Sequence, residues 1–183
     1  MIISHKYQFI YFAPRKTGTT SVWHILQTCF DGEEMGTGEH PRHTMMLPRE
    51  YKDYTTFATI RNPYTRFLSQ YNFFGQGDAI EKFLKGGWPS ITKELEGMRL
   101  DYVVRLENLE EDFYKLPFVR RHQLLFPPFQ FPRWTVSKEL FQRPMRVSYN
   151  RHVQKEVRAR CHEDFENFPY DPDDLSVLEP LML

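Results

Sequence analysis

The sequence predicts an α/β fold, a three-layer α/β/α arrangement around a central parallel sheet, and three observations predict it. Short apolar or β-branched runs stop sharply at turn residues, each run hands over to a segment whose apolar positions have helical spacing, and that strand, turn, helix order occurs three times. Strands that alternate with helices in this way pair in parallel and are covered by helices on both faces. At 183 residues the chain is expected to form a single domain over residues 1–183.

The first run, Tyr7 to Phe12, is apolar and aromatic and ends at Ala13-Pro14, which suits a strand in the middle of the sheet. From Thr19 to about Phe30 the residues Val22, Trp23, Ile25, Leu26 and Phe30 recur at helical spacing behind small hydroxyl residues of the kind that open helices. Asp31 to Pro48 is rich in Gly, His and Pro without periodicity and reads as a loop over the site. A second strand fits Thr55 to Ile60, and Asn62-Pro63 then opens a helix with Phe67, Leu68 and Tyr71 on one side. Ala79 to Leu100 looks helical but is interrupted by Gly86-Gly87 and Pro89. A third strand fits Tyr102 to Leu106, with a helix start at Asn108 and Glu110, Glu111 and Asp112 in its first turn, where carboxylates suit the dipole. Phe126 to Trp134 holds too many prolines for regular helix and reads as an extended wall or lid. The last helix is expected over Arg151 to Asn167.

Composition excludes several classes of function. Lys plus Arg and Asp plus Glu are 24 each, so no global field draws the chain onto nucleic acid or an anionic membrane, and any anion site must be local. Aromatic residues make up 16%, enough for a packed core and for flat walls beside a ring-bearing ligand. Cys29 and Cys161 give neither a disulfide framework nor a paired metal spacing and read as plain thiols. The start MIISHKYQFIYF lacks the roughly 18 apolar residues of a membrane span and has no small-residue cleavage site, so a cytoplasmic protein is expected.

Chemistry concentrates where the first strand meets the first helix, in Pro14-Arg15-Lys16-Thr17-Gly18-Thr19-Thr20-Ser21. Strand ends of this type are where open parallel sheets bind ligands. Gly18 permits a tight turn, the amides that follow point outward from a helix N-terminus, and Lys16 adds a full charge, the ingredients of a phosphate cradle. A Walker motif requires Lys after the second Gly of G-x-x-x-x-G-K-[ST]; here Lys16 precedes Gly18, which disfavours an ATPase or kinase.

These residues resemble the first donor loop of the sulfotransferases that use 3′-phosphoadenosine 5′-phosphosulfate (PAPS), which reads P-K-[TS]-G-[ST]-[ST], or P-x-K-x-G-T in some glycan-modifying members. The chain has the second form, with Arg15 as the extra residue. Arg61-Asn62-Pro63-Tyr64-Thr65-Arg66-Phe67-Leu68-Ser69-Gln70-Tyr71 is similar to the same family's R-N-P-Y-x-R-x-x-S-x-Y signature throughout, and Asp164-Phe165-Glu166-Asn167-Phe168-Pro169-Tyr170 to its closing D-F-x-x-F-x-Y pattern. The resemblance implies a P-loop NTPase-like sulfotransferase fold and a donor site running from Arg15 and Lys16 through Thr17, Gly18, Thr19, Thr20 and Ser21. Lys16 would touch the bridging oxygen of the donor, and the amides and hydroxyls from Thr17 to Ser21 would hold its 5′-phosphate.

Arg61 and Ser69 would hold the 3′-phosphate; an Arg gives bidentate, permanently charged recognition of such a group, and a hydroxyl completes the coordination. Arg66 is expected to be structural, paired with a carboxylate or a loop carbonyl, and Tyr64 and Tyr71 to be core or wall residues. An acceptor hydroxyl must also lose a proton, best to a His or a carboxylate of near-neutral pKa. Gly38-Glu39-His40-Pro41-Arg42-His43-Thr44 lies between the two signatures. Glycan sulfotransferases often carry a His before a small or hydroxyl residue there, which puts His43 first, His40 second and Glu39 third. His122, His152 and His162 are expected at the surface or beside polar neighbours. No metal is expected, because no Cys or carboxylate set completes a shell around the His pair. The partners implied are the nucleotide sulfate donor and a small-molecule or glycan acceptor, and no nucleic acid. Two other readings stay open: a P-loop nucleotide kinase, and a non-catalytic module that binds PAPS or its desulfated product.

Overall fold

The computed structural model describes residues 1–36, 49–75, 79–123 and 150–176. The chain forms two compact units, one of Met1–Ile60 with Leu95–Thr135 and one of Arg61–Glu94 with Val136–Leu183. The described strands are β1 (Ile2–Ser4), β2 (Phe9–Phe12), β3 (Glu33–Glu34), β4 (Thr55–Ile60) and β5 (Tyr102–Arg105). The described helices are, in chain order, α1 (Thr19–Phe30), α2 (Pro63–Phe74), α3 (Ile80–Lys85), α4 (Ile91–Glu94), α5 (Leu109–Phe113), α6 (Pro117–Gln123), α7 (Arg151–Arg160) and α8 (His162–Asn167).

The first unit is built on a sheet of order β3-β1-β2-β4-β5. β2, β4 and β5 run parallel, with Tyr11 opposite Phe57 and Phe57 opposite Tyr102. β1 is antiparallel to both β2 and β3, so the sheet is mixed and not wholly parallel as the sequence predicts. The physical reason is the short turn from His5 to Gln8, with Gln8 at φ 53, which can close a hairpin but not a crossover. The run before it, Ile2–Ser4, is too short to show a period, and Glu33–Glu34 shows none.

All four residues of β2 are buried, as are the last five of β4, the continuous burial expected of strands covered on both faces. Around them Phe9 stacks on Phe118 at 4.4 Å and Tyr11 on Phe57 at 5.0 Å, with Phe30 and Phe113 edge-on. Each such ring contributes on the order of 2 kcal/mol through the area it removes from water. β5 ends at Arg105, one residue early, because Leu106–Asn108 forms a 3₁₀ turn into α5.

In the second unit α2 starts as predicted: Asn62 caps it by accepting from the Tyr64 amide at 3.0 Å, and Pro63 takes the first turn. Tyr64, Phe67 and Leu68 of α2 face a core with Leu84, Trp88, Val153, Val157 and Cys161. The interrupted stretch is α3 and α4, separated by Gly86-Gly87 and Pro89. The last helix is in fact α7 and α8, broken at Cys161. The break places Asp164, fully buried, so that its carboxylate accepts from the Ile91 amide at 2.9 Å and the Thr92 amide at 2.7 Å. An unbroken helix would leave those α4 amides without this acceptor. Phe126 to Trp134 lies outside the described residues, as does residue 37 onward in the predicted loop.

Candidate active site

β2 gives way through buried Ala13 and Pro14 to exposed Arg15 and half-buried Lys16. Lys16 has φ 64 and Gly18 φ 81, both left-handed, so the backbone reverses its twist twice before α1 begins. For Lys16 that conformation costs roughly 1 kcal/mol, a strain that persists only where neighbours over-determine it. Gly18 is the N-cap of α1 and offers no side chain, so the first-turn amides of α1 receive no capping oxygen from it. A Cβ at Gly18 would lie 2.4 Å from Leu106 Cδ1, the end of a side chain in the turn after β5 that could shift aside, so it is the φ of 81 that favours glycine here.

Three hydroxyls tie the loop to the sheet. Thr17 Oγ1 donates to the Pro14 carbonyl at 2.8 Å and lies 2.8 Å from Thr59 Oγ1, which lies 2.7 Å from Tyr11 Oη. Thr17 is completely buried. Its hydroxyl proton is committed to the Pro14 carbonyl inside the loop. Thr19 and Ser21 are largely buried and Thr20 is exposed.

In the second unit Arg61 stands just before α2 and its Nε donates to Thr65 Oγ1 at 3.0 Å. Thr65, Ser69 and Asn72 are all half-buried and follow one another at helical spacing, so they share one face of α2. The Arg61 guanidinium therefore lies on the side of the helix that also carries Ser69, one turn beyond Thr65.

Arg66 is structural as expected. It is 1% exposed, donates to the Pro89 carbonyl at 2.9 Å and forms an ion pair with Glu94. Tyr64 is a core residue whose Oη donates to the Pro172 carbonyl at 2.6 Å, and its ring packs on Phe165 of the closing motif at 5.2 Å. Sequence reasoning places Asp164 in a motif without its role as acceptor for α4, and it misses Tyr11, Thr59 and the fork between Arg105 and Asp112. A signal existed for the hydroxyls, since polar groups inside strands buried on both faces must find partners.

Arg105 sits at the end of β5. It donates from Nε and Nη2 to Asp112 at 2.7 and 2.9 Å, and its amide donates at 3.2 Å. These bonds, with help from Lys115 and against the effect of burial, hold the Asp112 carboxyl down to about 2 from an ordinary 3.8. A depressed carboxyl stabilises the fold fully above its unfolded pKa and loses that contribution as pH falls through the folded value. Asp112→Asn is therefore expected to cost on the order of 1 kcal/mol near neutral pH, after discounting for solvent around Arg105. In urea titrations the gap between wild type and variant should close from about pH 4 to about pH 2; a gap unchanged across that range would refute the assignment.

The candidate bases His40, His43 and Glu39 lie outside the described residues. His152 and His162 are exposed; His122 is half-buried against Phe30 at 4.8 Å, and burial, with Lys6 nearby, lowers its pKa. Cys29 is half-buried and Cys161 buried, both free thiols, and burial pushes the Cys161 thiol up to about 12. Among the described residues no helix is long and apolar enough to cross a membrane. In comparison with known proteins, the model of the sulfotransferase family matches residues 1–168. No curated protein and no solved structure matches the chain.

Proposed function

The chain belongs to the sulfotransferase family, and from that premise we propose that it moves a sulfuryl group from PAPS to a hydroxyl or amine of a carbohydrate or related acceptor, releasing 3′-phosphoadenosine 5′-phosphate. The family match runs through both compact units, which supports reading residues 1–168 as one functional domain of the P-loop-like, three-layer type. The observation that carries the donor reading is the loop at Lys16: two left-handed residues turn the chain into a helix whose cap is a glycine at φ 81. A backbone cradle with outward amides and an adjacent ammonium suits a 5′-phosphate and the oxygen that bridges it to sulfur.

On this reading each residue has a separable task. The amides from Thr17 to Ser21 bind the 5′-phosphate, with Arg15 at the loop's rim. Arg61 and Ser69 bind the 3′-phosphate. The acceptor oxygen bonds to sulfur as the bond from sulfur to the 5′-phosphate oxygen breaks, and Lys16 meets the charge left on that oxygen. The acceptor proton passes to His43, with His40 and Glu39 as the other candidates.

Calorimetry with 3′-phosphoadenosine 5′-phosphate, ADP and ATP tests the donor reading. The first should bind more tightly than the other two, and Arg61→Ala should weaken it about 10- to 100-fold, the worth of charge-assisted bonds to a phosphate, while leaving ADP unchanged. A preference for ADP or ATP would favour a nucleotide kinase and overturn the proposal. A labelled-sulfate transfer screen over glycans then separates enzyme from module, since binding without transfer would favour the module.

A further inference from the structure

We infer that Tyr11 and Thr59 are positioning residues for the Lys16 loop, acting through a directed chain of hydroxyl hydrogen bonds that ends on the Pro14 carbonyl. The inference rests on the donor reading only for its purpose; the anchor itself is a property of the free protein.

The direction of the chain follows from what each group can do. A carbonyl only accepts, so the single hydroxyl proton of Thr17 points at Pro14, 2.8 Å away. Thr17 Oγ1 can then only accept from Thr59, so the Thr59 proton points at Thr17 across 2.8 Å. With its proton committed, Thr59 accepts from Tyr11 Oη at 2.7 Å. One arrangement of three protons therefore satisfies all three contacts, and each bond polarises the next in the same sense.

The two strands supply the groups because of their register. Tyr11 pairs with Phe57, and Thr59 is two residues further along β4, so both side chains leave the same face of the parallel pair. Tyr11, Thr17 and Thr59 are all completely buried, and Tyr11 belongs to the core cluster that holds Phe9, Phe57 and Val22, where a hydroxyl without a partner is costly.

Thr17 is the pivot of the turn. It lies between the two left-handed residues Lys16 and Gly18, and its side chain joins the loop to β4 through Thr59. Fixing Thr17 to Pro14 on one side and to Thr59 on the other leaves Lys16 little choice of backbone conformation. That is how the strain at Lys16 is sustained before any ligand arrives, and it sets where the ammonium and the α1 amides stand.

Limited trypsin digestion tests this without nucleotide, because Arg15 and Lys16 are themselves cleavage sites within the loop. Cleavage there is measured relative to cleavage after the exposed Arg120 of the same unit, so that global unfolding, which raises both, cancels. In Thr59→Val the ratio is expected to rise about 10-fold, and in Thr59→Ser, which keeps the hydroxyl, to stay within about 2-fold of wild type. Tyr11→Phe leaves the bond from Thr59 to Thr17 intact and should raise the ratio by about 3-fold; it decides the matter if Thr59→Val does not accumulate as folded protein. An unchanged ratio in the hydroxyl-less variants, or failure of Thr59→Ser to restore protection, would overturn the inference. Adding 3′-phosphoadenosine 5′-phosphate to wild type then distinguishes the two claims: protection of Arg15 and Lys16 supports both, whereas hydroxyl-dependent protection that the nucleotide does not deepen supports the anchor and removes the donor reading.

Discussion

Replacing Lys16 with methionine is expected to lower the single-turnover rate of sulfuryl transfer about 10²- to 10³-fold, the usual consequence of removing one preorganised donor from the atom where charge develops. Methionine keeps the length and the apolar stem of the side chain and removes only the ammonium. Because the charge on the bridging oxygen grows as the bond to sulfur breaks, the loss should fall mainly on the rate and much less on affinity for the desulfated nucleotide, which the proposed reading assigns to the amides that remain. Lys16→Arg should recover only part of the rate, since a planar fork does not place its charge where a compact ammonium does. Rapid-quench measurement with labelled donor reads the rate, and calorimetry with 3′-phosphoadenosine 5′-phosphate reads the affinity. A Lys16→Met rate within about threefold of wild type would remove Lys16 from the chemistry.

The largest effect on stability is expected at Arg66. Its guanidinium is 1% exposed and Glu94 is 12% exposed, so Arg66→Ala leaves a carboxylate confined near the core of the second unit without the Arg66 charge. The Pro89 carbonyl loses its donor as well. Breaking a buried pair from one side costs roughly 3–5 kcal/mol, far more than an exposed pair contributes. Urea denaturation should show that loss for Arg66→Ala, whereas the double change Arg66→Met with Glu94→Leu should recover much of it, because it removes both charges together. A single-variant loss under about 1 kcal/mol would mean that water reaches the pair freely.

Much of the fold was legible because its strongest signals are local. The sequence bounds β4 at Thr55 and Ile60 and α1 at Thr19 and Phe30, as the structure does, since continuous β-branched and apolar residues and a helical stripe need no knowledge of the rest of the chain. The cap at Asn62 and the first turn at Pro63 were equally readable. What the sequence hid depends on contacts made across long separations. β1 is three residues long and exists as a strand because β2 and β3 pair with it. The break at Cys161 reflects the demand of the α4 amides for Asp164, more than 70 residues away, while the residues on either side carry no Pro or Gly to announce it. The candidate site divides in the same way. Lys16 and Gly18 declare themselves by type and order. The inward turn of Thr17 does not, because the partner that captures it, Thr59, lies on another strand.

The order in which the two units use the chain has a consequence for synthesis. The first unit is interrupted by residues 61–94, and the second resumes only after residue 135. A ribosome that has exposed β2 and β4 has not yet made Phe113 or Phe118, the rings that close the first aromatic cluster. Likewise α2 emerges long before Val153, Val157 and Asp164, against which its own unit is completed. Neither core can close on a finished N-terminal piece, so apolar helix and strand surfaces stay open through most of translation, when unpaired edges are most prone to capture by other chains.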